Sequence, residues 1–85
     1  MNRGLDVLDE LEALFEEMVS QQRRKVLAIA GSLNPRLTGD DVLSPQDFPE
    51  LADDSRFNYE DGLLAGLLSA RIAVLAHIKE KQSSD

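Results

Sequence analysis

The stretch Leu63–Ile78, LLAGLLSARIAVLAHI, constrains this chain more than any other. Read as a helix it is apolar nearly all the way round, and such a helix has to be surrounded by protein or lipid. One other long helical pattern exists in the 85 residues, and it is apolar on a single face. Two helices cannot surround each other. The chain is therefore expected to need a partner, most simply a second copy of itself.

Size and composition point the same way. Eighty-five residues make one domain, just above the size at which a single core becomes hard to stabilise without staples. There is no cysteine, hence no disulfide and no thiolate metal site, and one histidine excludes a multi-histidine site. Oligomerisation is the remaining common device. The lack of cysteine fits a reducing cytoplasm, the expected location. The N-terminus MNRGLDVLDELEALF carries charges through its first apolar stretch, unlike a signal peptide. The apolar run of helix 2 is interrupted by Arg71 and falls short of the roughly 20 residues that span a bilayer, so no membrane association is expected.

The formal net charge is −7. Six acids fall in residues 1–17 (Asp6, Asp9, Glu10, Glu12, Glu16, Glu17) and eight in residues 37–61. Arg23, Arg24 and Lys25 form the single basic cluster. A nucleic-acid partner is not expected, because no broad positive face exists to displace counterions. A protein partner remains open.

Helix 1 is expected over about residues 5–30. On a helical wheel Val7, Leu8, Leu11, Leu14, Phe15, Met18, Val19, Val26 and Ile29 share one arc of roughly 140°. Gln22 interrupts this seam. It either fixes register, as a polar residue in a seam can, or marks where the seam opens to water. Gly31, Asn34 and Pro35 read as stop signals.

The connection, residues 31–57, contains Pro35, Pro45 and Pro49 yet holds Leu37, Val42, Leu43, Phe48, Leu51 and Phe57. So many large apolar groups predict an ordered segment folded over the end of the helical pair. Thr38 with Asp41 reads as a capping pair, and Ser44-Pro45 as a cap with proline at the first helical position. Helix 2 is expected from Asn58 as N-cap to about Lys81, with Phe57 stapling its first turn and residues 82–85 fraying.

The wheel divides helix 2 into unlike halves. Leu63, Leu64, Leu67, Leu68, Ile72, Val74, Leu75 and Ile78 fill the bulky half. Ala65, Gly66, Ser69, Ala70, Ala73 and Ala76, with Gly62 near the edge, make the small half. The bulky half suits helix 1, and the small half lets another backbone approach. Glycine inside a helix costs about 1 kcal/mol relative to alanine, so Gly62 and Gly66, one turn apart, suggest that close approach is used. Gly62, Gly66, Ser69, Ala70 and Ala73 are the candidate dimer interface.

Arg71 lies within the bulky arc, and Glu60 falls on the same line about three turns earlier. A buried arginine needs a partner, with Glu12, Glu16 or an acid of the connection as candidates. Its stem can instead lie on apolar surface with the head in water. Arg71 and Glu60 are therefore marked as a buried ion-pair or anion candidate. Phe48, Leu51, Phe57 and Tyr59 are either a partner-binding surface or the residues that close the end of the core. His77 has no nucleophile beside it and no Glu-x-x-His pattern before it.

These features predict an all-α protein: an antiparallel helical hairpin with a long ordered connection, forming a homodimeric four-helix bundle. The expected function is a non-catalytic interaction or assembly module, a small acidic soluble oligomer with no cofactor and no metal site. Two rivals stand beside it. One is a metal-dependent all-α phosphohydrolase using carboxylates of helix 1 and the connection; the other is an obligate subunit of a larger complex.

Overall fold

Two long runs free of proline, one on each side of a proline-punctuated middle, give two long helices and a compact connection. The computed structural model describes residues 3–83, and side-chain statements begin at Val7. Helix α1 spans Arg3–Leu33, α2 Gly39–Val42, α3 Pro49–Ala52 and α4 Ser55–Ser83, with a 3-10 turn over Pro45–Asp47 between α2 and α3. Among the described residues every element is helical. α1 and α4 pack together as an antiparallel hairpin.

Several boundaries differ from the sequence reading for local reasons. α1 runs through Gly31, and no described glycine adopts a positive φ. The stop comes at Asn34, whose N–H still reaches Ala30 O at 2.9 Å. Pro35 then disfavours the helical conformation of the residue before it. α4 begins one turn earlier than expected. Asp54, not Asn58, is its cap: the Phe57 N–H donates to Asp54 Oδ1 at 2.7 Å. Asn58 lies inside the first turn, and its side chain donates back to Ala52 O at 2.9 Å.

The connection is held by short-range bonds. Thr38 and Asp41 form a reciprocal capping box: Thr38 Oγ1 accepts from the Asp41 N–H at 3.2 Å, and Asp41 Oδ2 accepts from the Thr38 N–H at 2.9 Å. Pro45 occupies the first position of the 3-10 turn, but the Ser44 side chain makes no capping bond. Asn34 Nδ2 donates to Glu50 Oε1 at 2.9 Å, tying the end of α1 to the start of α3. That bond, with a backbone hydrogen bond at Glu50 itself, holds the Glu50 carboxyl below its ordinary value of 4.5. The folded value lies below the unfolded one, so the tie stabilises above pH 4.5 and is lost as pH falls through the folded value. Asn34→Ala is expected to return the Glu50 pKa toward 4.5, as read from side-chain NMR titration.

The core sits at the connection end. Val26, Ile29 and Ala30 of α1 meet Val42, Leu51 and Phe57, with Leu37, Phe48 and Leu64 packed against them. Leu51 and Phe57 are fully buried. Beyond this end the hairpin is two helices side by side, where Leu8 and Val19 are the buried residues of α1.

One polar contact fixes the register of the pair. Gln22 Nε2 donates to the Glu60 carbonyl at 2.8 Å and to Glu60 Oε2 at 2.7 Å. Lys25 Nζ stands 3.9 Å from the same carboxylate. Gln22 is half-buried, so the seam does not open to water there. A bond between residues 38 apart in sequence can form in one register only, since a slip of one residue would strand both groups. Gln22→Ala is expected to cost about 1–2 kcal/mol in urea denaturation. The exposed control Gln21→Ala should stay within about 0.5 kcal/mol of wild type.

Candidate functional site: an uncovered helical face

α4 turns one face to α1 and leaves the other bare. Leu64, Leu67, Leu68, Arg71, Leu75 and Ile78 are half-buried and recur at helical spacing. Gly62, Gly66, Ser69, Ala70 and Ala73, on the opposite side, are all exposed. A Cβ added at Gly62 or Gly66 would meet nothing within 4 Å. Close packing inside the hairpin therefore does not account for either glycine.

Large apolar residues border this face. Leu63 and Val74 lie along one edge, and Ile72, 71% exposed, along the other. α1 contributes as well. Val7, Leu14 and Met18, expected in the buried stripe, are exposed. The stripe is wider than one neighbouring helix can cover: Leu8, Val19 and Val26 meet α4 or the core, while Val7, Leu14 and Met18 lie to one side. For an antiparallel pair the wheel angles put these three on the same side of the hairpin as Leu63 and Val74. The Lys25–Glu60 contact lies on that side too. The result is one apolar surface spanning both helices.

The chain as a whole is elongated. The chain exposes 6115 Å². A compact monomer of 9.4 kDa exposes roughly 5,000 Å², so the excess is about 1,100 Å². The radius of gyration is 16.5 Å against the roughly 12 Å of a compact chain of this length, and the extents are 51 × 19 × 18 Å.

The four aromatic and leucine candidates of the connection separate. Leu51 and Phe57 are fully buried and offer no surface to a partner, and Phe48, half-buried, packs against the same cluster, so these three close the end of the core. Tyr59 is 67% exposed and sits one turn before Gly62 and Leu63, at the edge of the bare face.

Arg71 and Glu60 are not partners. Glu60 is held by Gln22 and Lys25, about three turns of helix away from Arg71. Arg71 makes no ion pair among the described residues, and Glu12 and Glu16 do not reach it. Its half-buried side chain lines a shallow groove of about 420 Å³ with Leu68, Ile72, Leu75, Ala76 and Lys79. The long stem therefore covers apolar surface while the head stays in water.

A second groove, about 370 Å³, lies on the same side of the hairpin nearer the connection, where Arg23, Leu27, Leu43, Asp61 and Leu64 line it. Leu43, 78% exposed, forms its lip. The acids do not converge. Among the described residues no group of three or more His, Asp or Glu side chains comes together where it could hold a metal ion. His77 is exposed on α4.

α4 is also the one described helix long and apolar enough, by length and composition, to cross a membrane: 29 residues, with an 18-residue window of mean hydropathy 1.5 in which no residue is fully buried. The uninterrupted apolar pattern ends at Ile78. The helix itself continues to Ser83. No protein-family model, curated protein or solved structure matches the chain.

Proposed function

We propose that the chain is a non-catalytic helical assembly module that works as a homodimer, a four-helix bundle with the α4 helices central and the α1 helices outside. The observation that carries this reading is the bare apolar face of α4, continuous with Val7, Leu14 and Met18 of α1. The elongated chain as a whole exposes about 1,100 Å² more than a compact monomer of its mass, the same order as the roughly 800 Å² that each partner buries in a stable protein interface. Covering it with an identical surface needs no other component, and twofold symmetry is the commonest way that small soluble proteins do so. The dispersed carboxylates give no comparable support to a metal-dependent hydrolase.

Lipid is the other medium able to cover α4. In a spanning α4, however, Arg71 would lie near mid-depth, at a cost of about 2.5–3.5 kcal/mol. The Gln22–Glu60 bond to α1 would also have to be given up. A protein partner keeps both groups where they are. The cysteine-free composition fits assembly in a reducing cytoplasm.

Thermal melting over a hundredfold range of protein concentration tests the reading. A folded dimer that dissociates on unfolding melts at higher temperature as concentration rises. A melting temperature independent of concentration, with the mass of a single chain, would remove it.

A further inference from the structure

The groove near the connection differs from the bare face of α4 in being a hollow built by three elements, α1, α2 and α4. Val26 and Val42, which line its base, belong to the buried core, and Leu64 packs against that core. The base is therefore held by the same packing that holds the fold. Leu27 and Leu43, 38% and 78% exposed, offer apolar surface to an occupant. At about 370 Å³ the groove falls within the range of small-molecule sites, which are apolar hollows with a few polar groups that set orientation.

Two charged groups supply that polar part. Arg23 lines the groove from α1 and Asp61 from α4. They stand across the seam from each other, because the Gln22–Glu60 bond sets their sequence neighbours face to face. Neither makes a hydrogen bond or an ion pair among the described residues. The nearby Lys25 and Glu60 do meet, on the opposite side of the hairpin. A lone ammonium or a lone carboxylate in the groove would satisfy one of the two groups and be repelled by the other. A molecule that carries both charges beside an apolar body satisfies both.

We propose that this groove binds a free α-amino acid with a large apolar side chain. That side chain lies on Val26, Leu27, Val42, Leu43 and Leu64. The carboxylate accepts from the Arg23 guanidinium, and the ammonium donates to the Asp61 carboxylate. The site uses none of the small residues on the bare face of α4, so it does not depend on what covers that face. A ligand of few atoms in an open groove binds modestly, with a dissociation constant of millimolar order.

NMR titration of the isotope-labelled chain, followed at its backbone amides, tests the proposal. L-Phenylalanine is expected to shift the amides of Leu27, Val42, Leu43 and Leu64 saturably. 2-Phenylethylamine lacks the carboxylate and 3-phenylpropanoate lacks the ammonium. Each should bind roughly fivefold more weakly, the scale of one exposed charge pair. L-Serine, with both charges and no apolar body, should leave these amides unmoved. Arg23→Gln should remove the preference for phenylalanine over the amine, and Asp61→Asn its preference over the acid. Neither side chain is bonded within the chain, so both variants should keep the wild-type spectrum before ligand is added.

No saturable shift with phenylalanine would overturn the proposal. Equal affinity for phenylalanine, the amine and the acid would overturn it too, leaving a purely apolar hollow. So would shifts of the same amides on dilution of the ligand-free chain without any response to phenylalanine, which would assign the groove to a second copy.

Discussion

Phe57→Ala is expected to leave most of the chain unfolded at 25 °C. The ring is fully buried where α4, α3 and the end of α1 converge, packed among Val26, Ile29, Ala30, Val42 and Leu51. Truncating a phenylalanine in such a place costs about 3–5 kcal/mol, the transfer term plus the cavity left behind. A chain of 85 residues has about 4–13 kcal/mol of stability in total. The core here is small and confined to one end, which places this chain toward the lower limit. Tyr59→Ala, two residues on and exposed at the edge of the bare face, is the matched control and should leave the chain folded at 25 °C. Urea titrations followed by far-ultraviolet circular dichroism compare the two. Equal stabilities for both variants would contradict the assignment of Phe57 to the core and Tyr59 to the surface.

Ala73→Glu is expected to abolish self-association while leaving the hairpin folded. Ala73 is exposed on the bare face of α4, so within one chain a glutamate there meets water and remains a good helix former. In the proposed dimer it lies on the covered face of α4, where each added carboxylate would be desolvated without a partner. A single unpaired buried charge costs several kcal/mol, enough to dissociate a micromolar complex. The mass should fall to that of one chain, and the melting temperature should drop and lose its dependence on concentration. Retention of the wild-type mass would show that this face of α4 is not in the interface.

The hairpin and the division of α4 into unlike faces were legible in the sequence, because both follow from helical periodicity alone. Leu64, Leu67, Leu75 and Ile78 turn toward α1, and Gly62, Gly66, Ser69, Ala70 and Ala73 turn away. The Thr38–Asp41 box was legible because both of its bonds lie within four residues. The start of α4 was not. Asp53, Asp54, Ser55 and Asn58 are all competent caps, and the choice is made by tertiary packing that buries both Leu51 and Phe57.

The connection posed the same problem. Phe48, Leu51, Phe57 and Tyr59 have similar composition, and only the path of the chain separates three core residues from one exposed ring. Gln22 stood out in the sequence as a polar break in a seam. Its partner did not, because Glu60 is 38 residues away and has many acidic neighbours that a linear reading cannot tell apart. Width was a further blind spot. A wheel gives the arc over which Val7, Leu14 and Met18 join the stripe of α1, but not how much of that arc one neighbouring helix covers. Their exposure is what extends the bare surface from α4 onto both helices.

The central claim is that a second copy of the chain covers this surface. Light scattering coupled to size exclusion, on the purified chain at tens of micromolar, tests it most directly. The expected mass is about twice the 9.4 kDa of one chain. A folded, soluble species at the mass of a single chain would contradict it.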